Sequence, residues 1–215
     1  MRGDGVMGIP VLILGESGSG KSASMRNFET DEVGIFNVAS KPLPFRKKLK
    51  KADGAGYKTI EETLINPEKR KLKTYIIDDS QYLLCFEMFQ TAKETGYGKF
   101  TNMALNFYNL IQTIIKRTPN DVIVYFLHHI ETSADGKIKA KTIGKMLDEK
   151  LTVEGLFSIV LLCQTDGAEH WFTTQSDGNS TAKSPMEMFE RKIDNDLKAV
   201  DKTIREYYEL NNTEV

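Results

Sequence analysis

Gly15-Glu16-Ser17-Gly18-Ser19-Gly20-Lys21-Ser22 decides how this chain is read, and it follows directly on the apolar run Ile9-Pro10-Val11-Leu12-Ile13-Leu14. A pattern G-x-x-x-x-G-K-S between a strand and a helix, here predicted over 23–28, is that of a phosphate-cradling loop. Its glycines let the backbone wrap so that successive N–H groups point inward at phosphate oxygens, and a helix N-terminus adds partial positive charge. Lys21 supplies a point charge for the β- and γ-phosphates, and the Ser22 hydroxyl is placed to hold Mg²⁺. Gly15, Glu16, Ser17, Gly18, Ser19, Gly20, Lys21, Ser22 and Ala23 therefore form the expected nucleotide-binding set, with ATP and Mg²⁺ as its ligands.

Working outward, the next chemistry-bearing stretch is Tyr75-Ile76-Ile77-Asp78-Asp79-Ser80. An apolar strand ending in Asp brings a carboxylate to the C-terminal edge of a sheet, where open α/β folds bind ligands. Beside a phosphate loop, Asp78 becomes the carboxylate that joins Ser22 in holding Mg²⁺. Asp79 has two readings: it orients or deprotonates the attacking water, or it caps the helix that follows. A further strand, 122–127, ends at His128-His129. Alternation along a strand sends only one of these toward the site, and His129 is taken as the residue that touches the γ-phosphate.

The remaining elements follow from periodicity and breakers. Strands are predicted at 33–38, 74–78, 157–163 and 169–174, the last two joined by a hairpin at Asp166-Gly167. Helices are predicted at 60–65, 81–93 and 102–116, with a turn or two between 146 and 154. Residues 41–51 carry Pro42 and Pro44 and read as an exposed basic loop. Residues 176–184 read as a linker, and Ser184-Pro185-Met186-Glu187 as a capping box. The helix expected behind it aligns Phe189, Ile193, Leu197, Val200, Ile204 and Tyr207 in one apolar stripe.

Composition sets bounds on function. With 215 residues the chain holds one substantial core, or one core and an appendage. A formal net charge of −1 carries no global signal for a polyanion, so any nucleic-acid contact must come from local patches. One such patch is Lys137, Lys139, Lys141 and Lys145, expected in a polar loop and suited to a nucleic-acid backbone or a neighbouring subunit's nucleotide. The clusters within 41–51 and 69–73 are two more. Cys85 and Cys163 sit in apolar runs, which favours buried thiols in a reducing compartment. No apolar run approaches the ~20 residues of a bilayer span, so a cytoplasmic protein without a membrane partner is expected.

Taken together, GESGSGKS, YIIDDS, VIVYFLHHIE and the Lys/Gly loop before FSIVLLC and DGAEHWF resemble RecA-type P-loop NTPases. They are most similar to small phage-encoded AAA family ATPases linked to single-strand annealing recombination. The resemblance covers roughly residues 8 to 175. It implies a mainly parallel sheet flanked by helices with a C-terminal hairpin and helix, and an ATPase core over 1–175 followed by the linker and an amphipathic helix and tail over 185–215. It further implies ATP hydrolysis, self-assembly into a ring or filament, contact with single-stranded DNA, and a host-cytoplasmic location. Lys21 and Ser22 match the phosphate-loop pair, Asp78 the Mg²⁺ carboxylate and His129 the strand-end sensor, while 137–145 match the region facing DNA or the next subunit. One departure stands out: where such enzymes carry a catalytic Glu after the second strand, this chain has Ala39-Ser40-Lys41. Either Asp79 takes that task, or hydrolysis is slow. The alternatives are an ATP-gated loader or scaffold, and a small phosphotransferase, although the latter's lid would be expected to carry arginines rather than lysines.

Overall fold

The computed structural model describes residues 7–96, 98–144, 147 and 151–210. The first apolar run becomes β1 (Ile9–Gly15). Val11, Leu12, Ile13 and Leu14 are all fully buried, as in a strand covered on both faces. Its parallel neighbours are β5 (Ile123–Thr132) and β7 (Ile159–Thr165). Outward from β5 lie β4 (Thr74–Asp78), β2 (Val33–Asn37) and β3 (Lys51–Asp53), each parallel to the last. Outward from β7 the sheet turns antiparallel through β8 (His170–Thr173) and β9 (Lys192–Asp194). Among the described residues nine strands form one sheet, in the order β3-β2-β4-β5-β1-β7-β8-β9, with β6 (Ile138–Ala140) folded back antiparallel on the end of β5. The α/β class and the mainly parallel sheet are as expected.

Alternation along β1 divides the core in two. Leu12 and Leu14 pack with Leu64 of α1 (Tyr57–Ile65), Leu84 of α2 (Gln81–Gln90) and Phe107 of α3 (Gly98–Arg117). Val11 and Ile13 pack on the opposite face with Met25, Phe28 and the apolar side of α4 (Leu197–Tyr207). No helix among the described residues is long and apolar enough to cross a membrane.

Four expectations are corrected. The helix behind the loop is a six-residue 3₁₀ turn, Ser22–Asn27. Its serines and asparagine are weak helix formers, and Ser24 Oγ donates back to the Lys21 carbonyl at 2.5 Å. A macrodipole from so short a turn is small, so an anion bound there would rely on loop amides and Lys21. Second, β5 runs through both histidines to Thr132, and the expected polar loop contains β6, because Ile130 pairs with Ala140 and Thr132 with Ile138. Third, Leu49 is buried and Lys51 enters β3, so the basic 41–51 stretch is not wholly an exposed loop.

The fourth correction concerns the C-terminal segment. No helix starts at Pro185; Glu187 takes a left-handed φ of 62°, and Ile193 pairs in β9 opposite Phe172. Pairing with the sheet satisfies this backbone better than a helix whose stripe would have to skip the β8 edge. The expected linker runs against the core, with Val160 and Lys183 exchanging both backbone hydrogen bonds at 2.8 Å. Asp196 caps the shorter α4 by accepting from the Lys198 and Ala199 amides, leaving Leu197, Val200 and Ile204 as its buried stripe.

A polar clasp locks α4 to the sheet. Asp201 accepts from Thr74 Oγ1 and Tyr125 Oη at 3.1 Å each and from Arg205 Nε at 2.7 Å. Arg205 also donates to the Asp121 and Lys73 carbonyls. Removing one partner of a buried ion pair strands the other. Asp201→Ala should therefore lower unfolding free energy by about 3 kcal/mol or more, read from urea midpoints; a loss under about 1 kcal/mol would show that the clasp does not hold the helix.

Candidate functional site

Parallel strands end at the same edge, so β1, β4 and β5 deliver Gly15, Asp78 and His129 together. Gly15 pairs with His129 in register, and Ile77 with Phe126. β5 lies between β1 and β4, so the loop must reach across a strand to meet Asp78. It does: Ser22 Oγ donates to Asp78 Oδ1 at 2.7 Å. Lys21 Nζ donates to the Gly15 and Glu16 carbonyls at 2.8 and 2.7 Å, closing the loop on itself.

The loop's shape depends on two of its glycines. Gly20 has φ +100°, and a Cβ there would come within 2.9 Å of His170 Nδ1. At Gly15 a Cβ would meet Ser19 Oγ at 2.5 Å and the Cys163 carbonyl at 2.8 Å. The Ser19 carbonyl accepts from His170 Nδ1 at 2.8 Å and from Cys163 Sγ at 3.0 Å. Ser19 Oγ itself is buried with no hydrogen-bond partner.

These residues surround a cleft of about 300 Å³ lined by Ser17, Gly18, Gly20, Lys21, Ser22, Ala23, Asp78, Asp79 and His129 of the expected set. Lys41, Pro42, Pro44 and His170 complete its wall. A larger hollow of about 720 Å³ lies at the other edge of the sheet, where β4 begins, beside α4. Two ion pairs stand in its wall, Glu32 with Lys198 and Asp201 with Arg205, and it holds none of the residues expected to bind nucleotide. The smaller cleft gathers the residues that the sequence singled out.

Asp79 does not cap α2. It has a left-handed φ of 61°, and its carboxylate meets Lys41 Nζ at 2.7 Å and His129 Nε2 at 3.2 Å. Burial alone would raise its pKa, but hydrogen bonds from His129 and Lys41 outweigh that and hold it down at about 2. Such a carboxylate stays ionised and accepts hydrogen bonds; it is poorly suited to keeping a proton. Burial shifts Asp78 upward, against the Ser22 hydrogen bond and the neighbouring cations. Burial likewise lowers Lys21.

The alternation argument separates the histidines as expected. His129 faces the cleft, edge-on to Tyr82. His128 is fully buried on the other side, with Nε2 2.9 Å from the Lys141 carbonyl and Nδ1 2.9 Å from Ser80 Oγ. A carbonyl only accepts, so Nε2 carries the proton and Nδ1 is the ring's acceptor, sharing the single Ser80 hydroxyl proton with the Leu127 carbonyl 3.1 Å away.

Of the basic patch, Lys137, Lys139 and Lys141 stand on or beside the β5–β6 hairpin and do not line the cleft. Lys137 lies 3.5 Å from Asp135 and Lys139 3.3 Å from Glu131. The Lys141 side chain is exposed, while its backbone N–H donates to the His129 carbonyl at 2.9 Å. Lys145 lies outside the described residues.

Two cleft residues were not singled out from the sequence. Lys41 was noted in a basic stretch and beside the place where a catalytic Glu was looked for, but was given no role in the site, although the 33–38 strand before it was a signal that it emerges at the shared edge. His170 carried no such signal, because only the β7–β8 pairing brings it over the loop.

The donor set fits the groups that the loop motif implies. Ser22 and Asp78 offer two hard oxygens, and no cluster of three or more His, Cys, Asp or Glu suited to a metal occurs among the described residues. Hard oxygens are the donors that magnesium takes alongside phosphate and water. Gly18, Gly20 and Lys21 on the cleft wall suit a polyphosphate. No protein-family model matches the chain, and no curated protein matches it in sequence.

Burial lowers His128 to about 4 from an ordinary 6.5. Between those values the unfolded chain binds a proton that the native chain refuses, so stability falls as pH drops from 6.5 toward 4. Full development of the shift corresponds to about 3 kcal/mol. Urea midpoints followed from pH 7 to pH 4.5 should fall more steeply in the wild type than in His128→Gln; parallel curves would remove His128 as the source.

Proposed function

We propose that this chain is an ATP-binding and ATP-hydrolysing protein of the RecA-like P-loop type, acting on single-stranded DNA in recombination or strand annealing and assembling there in several copies. The observation that carries the reading is the 2.7 Å contact of Ser22 with Asp78, made across an intervening strand that sets His129 beside Asp79. A hydroxyl and a carboxylate so joined, next to a glycine loop and its lysine, form a place for a magnesium-bound triphosphate.

Within this reading each residue has a task. The loop amides and Lys21 bind and orient the β- and γ-phosphates. Ser22 and Asp78 hold the magnesium ion, which when bound neutralises charge on the phosphate oxygens. Asp79 accepts a hydrogen bond from the attacking water and so aims it. The water oxygen then bonds to the γ-phosphorus as the bond to the bridging oxygen breaks, and the electron pair leaves with ADP. One water proton stays on the released phosphate and the other passes to solvent. His129 touches both Asp79 and the strand that continues into the basic hairpin.

That continuity supports the DNA part. The Lys141 backbone is hydrogen-bonded to the backbone of His129 and to the ring of His128. A polyanion on Lys137, Lys139 and Lys141 would therefore press on the strand that carries the γ-phosphate contact. Lys21→Ala should abolish ATP turnover while leaving the fold intact, and single-stranded DNA should raise wild-type turnover several-fold, less so as salt increases. Turnover that survives Lys21→Ala would overturn the ATPase reading; indifference to every polynucleotide would overturn the DNA reading alone.

A further inference from the structure

We propose that Lys41 binds the terminal phosphate of the nucleotide in cis, exchanging its contact with Asp79 for one with the γ-phosphate. The inference rests on the nucleotide reading above and adds to it the cation that discriminates triphosphate from diphosphate.

The first argument is placement. β2 lies parallel beside β4, with Asn37 opposite Asp78, so the chain leaving β2 surfaces at the edge where the cleft opens. Asn37 is 1% exposed and grips Lys41 by its backbone: Asn37 Nδ2 donates to the Lys41 carbonyl at 2.7 Å, and the Lys41 N–H donates to Asn37 Oδ1 at 3.2 Å. A left-handed turn at Ser40, φ 56°, and the ring-restricted backbones of Pro42 and Pro44 hold this segment along the cleft wall. The backbone is thus anchored while the side chain, 55% exposed, stays free to turn.

The second argument is charge. Lys21 already spends hydrogen bonds on two loop carbonyls. Among the described residues lining the cleft there is no arginine, and Lys41 is the other lysine. A triphosphate entering beside Asp78 and Asp79 brings several negative charges toward two more; magnesium would offset them at Asp78, and Lys41 is the cation placed to offset them beside Asp79. Lys41 Nζ sits 2.7 Å from Asp79 and 4.9 Å from the centre of the Tyr82 ring. Those partners hold it at the cleft without enclosing it. Asp79 keeps the His129 hydrogen bond when Lys41 turns away, so the exchange does not leave a buried carboxylate bare. An ammonium on a four-carbon stem suits such a move, since it recognises phosphate as a point charge and needs no fixed fork geometry.

The position is also where a catalytic carboxylate was expected and a lysine stands instead. A cation there stabilises charge on the transferring phosphoryl group rather than activating water.

The test compares ADP with a non-hydrolysable ATP analogue by calorimetry, with magnesium in excess. Lys41→Met should leave ADP affinity within about twofold and weaken the analogue about tenfold or more, with turnover falling about 10²-fold. Lys41→Arg, which keeps the charge, should restore most of the analogue's advantage. An analogue-to-ADP affinity ratio in Lys41→Met equal to that of the wild type would overturn the assignment of Lys41. A wild-type protein that binds neither nucleotide would instead overturn the nucleotide reading, and this inference with it.

Discussion

The hydrogen bond from Ser22 to Asp78 ties together parts of the chain that share no local sequence. It joins a loop after β1 to the end of β4 with β5 between them, and it forms only because all three strands run parallel and bring Gly15, Asp78 and His129 to one edge. That requirement reaches deep into the fold. Parallel strands need crossovers, and crossovers need helices on the faces. Hence the two-sided core, in which Leu12 and Leu14 face α1, α2 and α3 while Val11 and Ile13 face α4. Shifting β5 by one residue would exchange His128 for His129 at the cleft and bury the wrong imidazole.

Around that contact the cleft is held in conformations that side chains ordinarily avoid. Ser40 and Asp79 both have positive φ without being glycine, each at a cost of about 1 kcal/mol or more. What holds Asp79 there is its pair of hydrogen-bonded neighbours, Lys41 and His129; what holds Ser40 is the Asn37 grip on the residue after it. The strain and the charges therefore coincide. The same residues that give the cleft its electrostatics also over-determine its backbone.

Where the determinants were local, the sequence could be read directly. The apolar run of β1, the glycine loop and the TYIID strand each carry their own signal, and the Ser22–Asp78 partnership follows from the chemistry of the loop. Alternation alone showed that one of the HH pair faces the cleft and the other does not; the choice of His129 came from elsewhere. What could not be read were choices made by distant partners. Ser184-Pro185-Met186-Glu187 has every local mark of a helix start, yet Ile193 finds a strand partner in Phe172, and Asp196 supplies the cap eleven residues later than Pro185. The hairpin carrying His170 and the strand before Lys41 were legible, but that both side chains reach the cleft depends on strand order, which periodicity does not encode.

The two outermost strands, β3 and β9, are three residues long each. Edges so brief present few open amides and carbonyls, and a foreign strand added to either would gain only a handful of backbone bonds. Any pairing of one copy of this chain with another would therefore rest on side chains, where charge and shape can discriminate, rather than on the indiscriminate stitching that backbone offers.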